Sequence, residues 1–400
     1  MLGSAPTVGD AGIGLAIIQQ LRRRWPGCSI TLATGTIDAY RELADAHDIT
    51  LVKKPNLFGK SGRGLKFLRR LRDASGGRVA FARGYDAVVY QGGPQWNDVW
   101  LDASKLKRRL LEFVAARAEG VPTVLWGQSF GPFAWSGVRG MVLRQITRAA
   151  LNRATIVSPR DRFSVPALSR LKLGGPTIVP AADAAFRLEA ASAEVGERVL
   201  RDAGVATDRP LIGLCLRDFQ ERYGMADTDR AWTAFARVVD GVADDLGHVV
   251  YLSTDYRDGA GAELSDLDVI REIQRRRRRT DGITIIDKVL APDVVAAAYG
   301  RMAALVAGRL HPAIFALGQA TPTMIVSYTA KCDDVAERMG LSAYRTTYSG
   351  FDPDDAMAKL RRLLDANPRR EIAERLAALA AEADKTIEAL AAVLAAKGRA

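Results

Sequence analysis

Arg309 and His311 stand two residues apart in the run Val306-Ala307-Gly308-Arg309-Leu310-His311-Pro312-Ala313, where one apolar stretch ends and another begins. Arg309 offers a planar fork that suits a carboxylate or a phosphate. His311 can exchange protons near neutral pH. If a strand passes here directly into a helix, the backbone N–H groups at the helix start favour an anion as well, with Gly308 letting it approach. The chain has three histidines, and packing or surface roles suffice for His47 and His248. Lys331, in Ile325-Val326-Ser327-Tyr328-Thr329-Ala330-Lys331, closes the next apolar run and can bring a compact positive charge to the same pocket. Arg217, just past the apolar run 211–216, is a further cation, although an arginine after a strand is also common on surfaces.

A second group of segments is neutral and polar. Gln91-Gly92-Gly93-Pro94-Gln95-Trp96-Asn97-Asp98 follows the apolar run 87–90. Its paired glycines, Gly92 and Gly93, let a ligand reach backbone N–H groups, and Asn97 and Asp98 can hold hydroxyls. The plainer reading is a turn with a helix cap. Gly127-Gln128-Ser129-Phe130-Gly131-Pro132 follows the run 123–126, and Gln128 and Ser129 are donors and acceptors suited to sugar hydroxyls. In Ser158-Pro159-Arg160-Asp161, the simplest expectation is that Arg160 and Asp161 pair at a helix start. Asp183 follows the run 177–179 and can orient a basic residue.

These segments need strands that end where the chemistry is. Short apolar runs (30–32, 87–90, 123–126) alternate with helical stretches (13–24, 105–119), which argues for parallel sheets flanked by helices. The pattern restarts after Phe186 with a helix at 190–203 and strands at 211–216, 249–253, 283–286, 304–307 and 323–326. Two α/β domains are expected: residues 1–187 on the acceptor side and 188–350 on the donor side. A helical segment, 351–400, packs on the body through Ile372, Leu376, Leu379, Ala383, Ile387, Leu390 and Leu394. Gly9-Asp10-Ala11-Gly12 reads as the loop entering the first helix. The first strand is then either very short or lies upstream of Met1.

The 400 residues carry a formal charge of +11. That charge serves either solubility or attraction to anions: a phosphorylated donor, a lipid-linked acceptor, or an anionic membrane touched peripherally. The five consecutive arginines 275–279 read first as a solvated face and second as a lipid or glycan contact. No signature of nucleic-acid binding is present. No apolar run reaches 18 residues and no secretory signal is read. Cys28, Cys215 and Cys332 have no metal or redox spacing. The expected location is the cytoplasm, at or near the inner face of the membrane, and no metal or cofactor is expected.

In this order the segments resemble the polysaccharide pyruvyltransferase family. The matching pieces are Gly92-Gly93 with Asn97-Asp98, Gly127-Gln128-Ser129 with Gly131-Pro132, and Arg160-Asp161 with Ser164. Asp183 with Phe186, Gly308-Arg309-Leu310-His311, and Tyr328 with Lys331 complete the set. Val8 stands before Gly9-Asp10 where such proteins often carry Asn. The resemblance implies an α/β fold of two Rossmann-like domains in a glycosyltransferase-B-like arrangement with an interdomain cleft. It implies transfer of a pyruvyl group from phosphoenolpyruvate to two hydroxyls of a cell-surface glycan or its lipid-linked precursor, giving a ketal. Arg217, Gly308, Arg309, Tyr328 and Lys331 would bind the donor, and His311, Arg309 and Lys331 would catalyse. Gly92, Gly93, Asn97, Asp98, Gln128 and Ser129 would bind the acceptor, supported by Arg160, Asp161 and Asp183. Two rivals keep the same fold. One is a nucleotide-sugar glycosyltransferase, for which Asp255 or Asp287 would have to hold the ribose. The other is a non-catalytic glycan-binding protein. A dehydrogenase reading is poor, because Gly9–Gly14 lacks the preceding strand that a dinucleotide fingerprint requires.

Overall fold

The computed structural model describes residues 7–54, 65–98, 101–218, 228–255 and 265–398. The chain divides into two compact units, Ile17–Ala184 with Ala380–Ala400, and Ala5–Ala16 with Ala185–Leu379. Every strand pairing among the described residues is parallel.

In the first unit, β1 (Thr31–Thr34) pairs with β2 (Thr50–Lys53). A second sheet has the order β3 (Val88–Tyr90), β5 (Thr123–Phe130), β6 (Ile156–Pro159), β7 (Thr177–Ile178), and β4 (Gly93–Trp96) pairs with β5 beyond the end of β3. The helices are α2 (Arg41–Ala46), α3 (Leu65–Ser75), α4 (Ala103–Ala118), α5 (Gly137–Leu151), α6 (Ser164–Ser169) and the part of α1 (Val8–Arg24) from Ile17 onward, the part up to Ala16 belonging to the second unit. Leu106, Leu110 and Phe113 of α4 pack on the sheet, where Trp96 stacks between Phe113 and Phe130 at centroid distances of 6.1 and 6.2 Å.

The second unit holds one six-stranded sheet in the order β10 (Ile283–Ile286), β9 (His248–Leu252), β8 (Leu211–Cys215), β11 (Ala304–Ala307), β12 (Thr323–Ser327), β13 (Thr346–Thr347). Its helices are α7 (Ala193–Asp202), α8 (Thr228–Gly241), α9 (Asp266–Gln274), α10 (Pro292–Gly300), α11 (Leu310–Leu317), α12 (Ala330–Arg338) and α13 (Pro353–Ala366). This is the doubly wound order, in which the chain first moves one way from β8 and then returns to build β11 on its other side. The two halves diverge between β8 and β11, and an open crevice forms at their carboxyl ends.

Three expectations change. Gly9-Asp10 is not a loop but the first turn of α1, where the Thr7 hydroxyl and Asp10 cap the helix (Asp10 N to Thr7 Oγ1, 3.3 Å). Gly127–Phe130 and Gly93–Trp96 are strand rather than exit loops, so Gln128 and Ser129 are buried inside a sheet. Finally, α14 (Arg369–Ala395), expected to pack on the body as part of one segment, is shared: residues up to Leu379 belong to the second unit and those from Ala380 to the first. Ile372, Leu379, Ala383, Ile387, Leu390 and Leu394 of its stripe are buried.

Candidate functional site

The anion-seeking residues gather at the crevice of the second sheet. Arg217 follows β8, Gly308 to His311 follow β11, and Tyr328 and Lys331 follow β12. These three strands are neighbours in the sheet, so their carboxyl ends place the residues side by side. Both α11 and α12 begin here, and their N-terminal turns add positive potential to the same edge. The Arg217 guanidinium lies 5.6 Å from the Tyr328 ring centroid. Gly308 is required by packing: a Cβ there would stand 1.9 Å from the Tyr348 hydroxyl and 3.0 Å from Leu216 Cδ2.

His311 is half-buried in the first turn of α11. Gly9 of α1 lies against it, so close that a Cβ on Gly9 would be 2.6 Å from His311 Nδ1. One turn further on, Gly12 of α1 faces Phe315 of α11 in the same manner. The pair of glycines therefore lets α1 lie directly on α11. The glycine-rich start of the chain serves helix packing against the histidine.

Arg309 plays a different part from the one its sequence suggests. It is the N-cap residue of α11, and its guanidinium turns inward. Its Nη2 pairs with Asp255 at 3.2 Å and with Asp266, both of whose side chains are fully buried. Asp266 is itself held by Thr254, from its N–H (3.1 Å) and its hydroxyl (2.6 Å). Burial works against the Arg309 charge, but Asp266 and then Cys215 and Asp255 outweigh it and raise its pKa above the ordinary arginine value. The Arg309 charge is thus balanced within the fold, and it ties the ends of β9 and α9 to the β11–α11 turn. Of the two alternative acids for a ribose site, Asp255 is committed to this pair and Asp287 is exposed.

In the first unit the polar residues form a network at the sheet's carboxyl edge. The Gln128 amide donates to the Tyr90 and Gln91 carbonyls at 3.1 and 2.8 Å, which clamps β3 to β5. Its Oε1 is buried with no hydrogen-bond partner. Arg160 does not pair with Asp161. It bonds Ser129 Oγ through Nε at 3.1 Å and forms an ion pair with Asp183. Asp161 instead caps α6, accepting from the N–H and hydroxyl of Ser164 at 2.9 and 2.7 Å, and Ser164 Oγ accepts from Phe130 N. Asn97 and Asp98 remain half-buried at the rim, where Asp98 Oδ2 accepts from Ala134 N at 3.2 Å. Gly92 and Gly93 are buried beside them.

The arginine run is internally balanced as well. Arg275 pairs with Glu272, Arg276 with Glu272 and Asp229, Arg277 and Arg278 with Asp240, and Arg279 with Asp244 and Asp281. Arg277 and Asp240 are buried. The run clamps α9 to α8 and has little charge left for an external anion. The residues that sequence reading missed are the partners Asp266, Thr254 and Tyr348. One signal existed for Asp266: Ser265 and Asp268 form a capping box that starts α9 beside it.

Comparisons with known proteins bear on this arrangement. A family model described as polysaccharide pyruvyl transferase matches residues 8–329. Amylovoran biosynthesis protein AmsJ of Erwinia amylovora is 21% identical over 298 residues, covering 70% of this chain and 66% of AmsJ. The match therefore spans just under two thirds of that relative's length. A glycosyltransferase of Rickettsia africae aligns with TM-score 0.60 at 9% identity, covering 98% of each chain. Anabaena HepE in complex with UDP-glucose aligns with TM-score 0.55 at 13% identity, covering 99% of this chain and 98% of HepE. The UDP-GlcNAc 2-epimerase of Neisseria meningitidis aligns with TM-score 0.58 at 10% identity, covering 97% and 98%. At such identities the structural likeness speaks for the fold alone. Among the described residues no helix is long and apolar enough to cross a membrane.

Proposed function

The chain belongs to the polysaccharide pyruvyl transferase family, and from that premise we propose that it moves the pyruvyl group of phosphoenolpyruvate onto two hydroxyls of a glycan sugar as a ketal. The observation that supports the reading is that Arg217, His311 and Lys331 follow the neighbouring strands β8, β11 and β12 at their carboxyl ends, where two helices start. Phosphoenolpyruvate brings a carboxylate and a phosphate and needs such a group of basic residues. Each charge-assisted hydrogen bond contributes about 1.5–3 kcal/mol net. Arg217, Lys331 and the N-termini of α11 and α12 supply these bonds. Arg309, whose charge is balanced by Asp255 and Asp266, holds the strand ends in place.

The chemistry then runs as follows. A proton adds to the methylene carbon of phosphoenolpyruvate, and the neighbouring carbon becomes electrophilic. One sugar hydroxyl adds there and loses its proton. The C–O bond to phosphate breaks, the electron pair leaving with phosphate, which Lys331 and Arg217 stabilise. A second hydroxyl closes the ketal. Of the two hydroxyl protons released, one replaces the proton taken up by the methyl group and the other leaves with phosphate. His311 is the proton-transfer residue. For the sugar, the first unit offers Asn97, Asp98 and the Gly92–Gly93 backbone.

The test is thermal stabilisation by phosphoenolpyruvate, set against a panel of nucleotide sugars at equal concentration. A ligand that binds only the folded state raises the melting temperature. The expected result is a shift with phosphoenolpyruvate that is lost in Arg217→Met and Lys331→Met and kept in His311→Asn, which binds but does not turn over. A shift with one nucleotide sugar and none with phosphoenolpyruvate overturns the reading in favour of glycosyl transfer. A folded, fully active His311→Asn removes His311 from the mechanism.

A further inference from the structure

The basic charge of this chain is concentrated in one place. Helices α3, α4 and α5 together carry twelve Lys or Arg against only Asp73 and Glu112, whereas the whole chain has a formal charge of +11. The three form one layer, with α4 packed against both others. Their N-terminal turns lie together. Lys107 of α4 sits 5.1 Å from the ring centroid of Phe67 in the first turn of α3. Asp98, before α4, accepts a hydrogen bond from Ala134, just before α5.

The same end of the first unit exposes apolar side chains. Among the described residues eight large hydrophobic side chains are exposed, and six of them lie here: Leu65 and Leu68 on α3, Val138, Met141 and Val142 on α5, and Phe163 before α6. Leu65 is 84% exposed and Val138 76%. Single exposed apolar residues are ordinary, but a cluster is a binding surface. Exposed Lys66, Arg69 and Arg139 are interleaved with it, and α5 has no acidic residue at all.

We propose that this end of the first unit docks on an anionic lipid surface. Leu65, Leu68, Val138 and Met141 enter the headgroup region, and the arginines and lysines meet lipid phosphates. The mixture of apolar and basic side chains selects a bilayer over a soluble anion, which would not use the apolar half. Asn97 and Asp98 lie at this same end, joined through Asp98 to the segment leading into α5. Resting on the transferase reading above, the acceptor is therefore a saccharide carried on a lipid at the membrane surface.

The first experiment is co-sedimentation of the full chain with phosphatidylglycerol vesicles and with phosphatidylcholine vesicles. The expected result is binding to the anionic vesicles, reduced about tenfold or more in Val138→Asp/Met141→Asp and in Lys66→Glu/Arg139→Glu. Both double variants keep the wild-type melting temperature and the wild-type stabilisation by phosphoenolpyruvate. Absence of vesicle binding, or binding that ignores these substitutions, overturns the docking surface. Self-association without lipid that these substitutions abolish assigns the face to a second copy and also overturns it. The acceptor class is read separately, as phosphate release from phosphoenolpyruvate with membranes of the source organism and with saccharides freed from them by mild acid. Equal turnover on the freed saccharides overturns the lipid-carried acceptor. Intact stabilisation by phosphoenolpyruvate without vesicle binding is failure of docking alone, and vesicle binding without that stabilisation is failure of the transferase reading alone.

Discussion

His311 earns its place through the residue that faces it. The imidazole is covered by a helix turn that carries no side chain at Gly9, and an added Cβ would meet both Nδ1 at 2.6 Å and the histidine's own Cβ at 2.9 Å. Turning the ring relieves the first contact but not the second, so in Gly9→Ala either α1 lifts off α11 or the imidazole leaves its position. A displacement of about 1 Å at a reacting group costs on the order of 100-fold in rate. Gly9→Ala is therefore expected to lower kcat by roughly that factor while stabilisation by phosphoenolpyruvate persists, because Arg217 and Lys331 are untouched. Gly12→Ala is the control. Its Cβ would strike Phe315 Cζ at 2.3 Å, one turn away from the imidazole. Steady-state kinetics on both, beside their melting temperatures, separates the cases. An equal loss of kcat in Gly12→Ala would mean that helix packing alone, and not the histidine's position, limits the reaction.

At the scale of elements, the strands that carry the site were legible and the bonds that fix their ends were not. The runs 283–286 and 304–307 are buried-strand compositions and they are β10 and β11 as read. The run 123–126 was read too short, because Gly127, Gln128 and Ser129 look like an exit loop in sequence. The pairing of Gly93 with Gln128 carries β5 on to Phe130. Arg309 is the sharper case. Its type and position announce an anion site, yet its partners lie 54 and 43 residues away at Asp255 and Asp266, and no local pattern points to them. Removing one member of a buried ion pair costs about 3–5 kcal/mol because the other charge stays behind. Arg309→Leu is expected to lose about that much stability at pH 7.5. Thermal unfolding of the variant beside the wild type checks this, and an unchanged melting temperature would mean that the two carboxylates find other partners.

Over the whole molecule, the buried ionisable groups are divided unevenly between the two units, and this makes their alkaline behaviour differ. In the second unit, burial pushes the Cys215 thiol from 9.0 up to about 12, and Asp266 adds to the rise. Burial also holds the phenols of Tyr251, Tyr299 and Tyr348 well above 10.0. A group whose pKa is raised by folding keeps its proton in the native state while the unfolded chain gives it up. Stability contributed in this way is complete below the unfolded value and is lost as pH climbs from there towards the folded value. In the first unit burial holds the Tyr90 phenol well above 10.0 too, but the same unit holds an opposing group. Burial, then Arg109, lowers Lys54 from 10.5 to about 8, so Lys54 adds stability as pH rises between those values. The second unit should therefore soften first above pH 9. Among the described residues, Trp25, Trp96, Trp126 and Trp135 belong to the first unit and only Trp232 to the second. Tryptophan fluorescence accordingly reports mainly the first unit, while far-ultraviolet circular dichroism reports both. From pH 7.5 to 10.5 the dichroism midpoint should fall ahead of the fluorescence midpoint, and the gap should widen with pH. Coincident midpoints throughout would show that the two units unfold as one, and that the buried thiol and phenols of the second weaken both together.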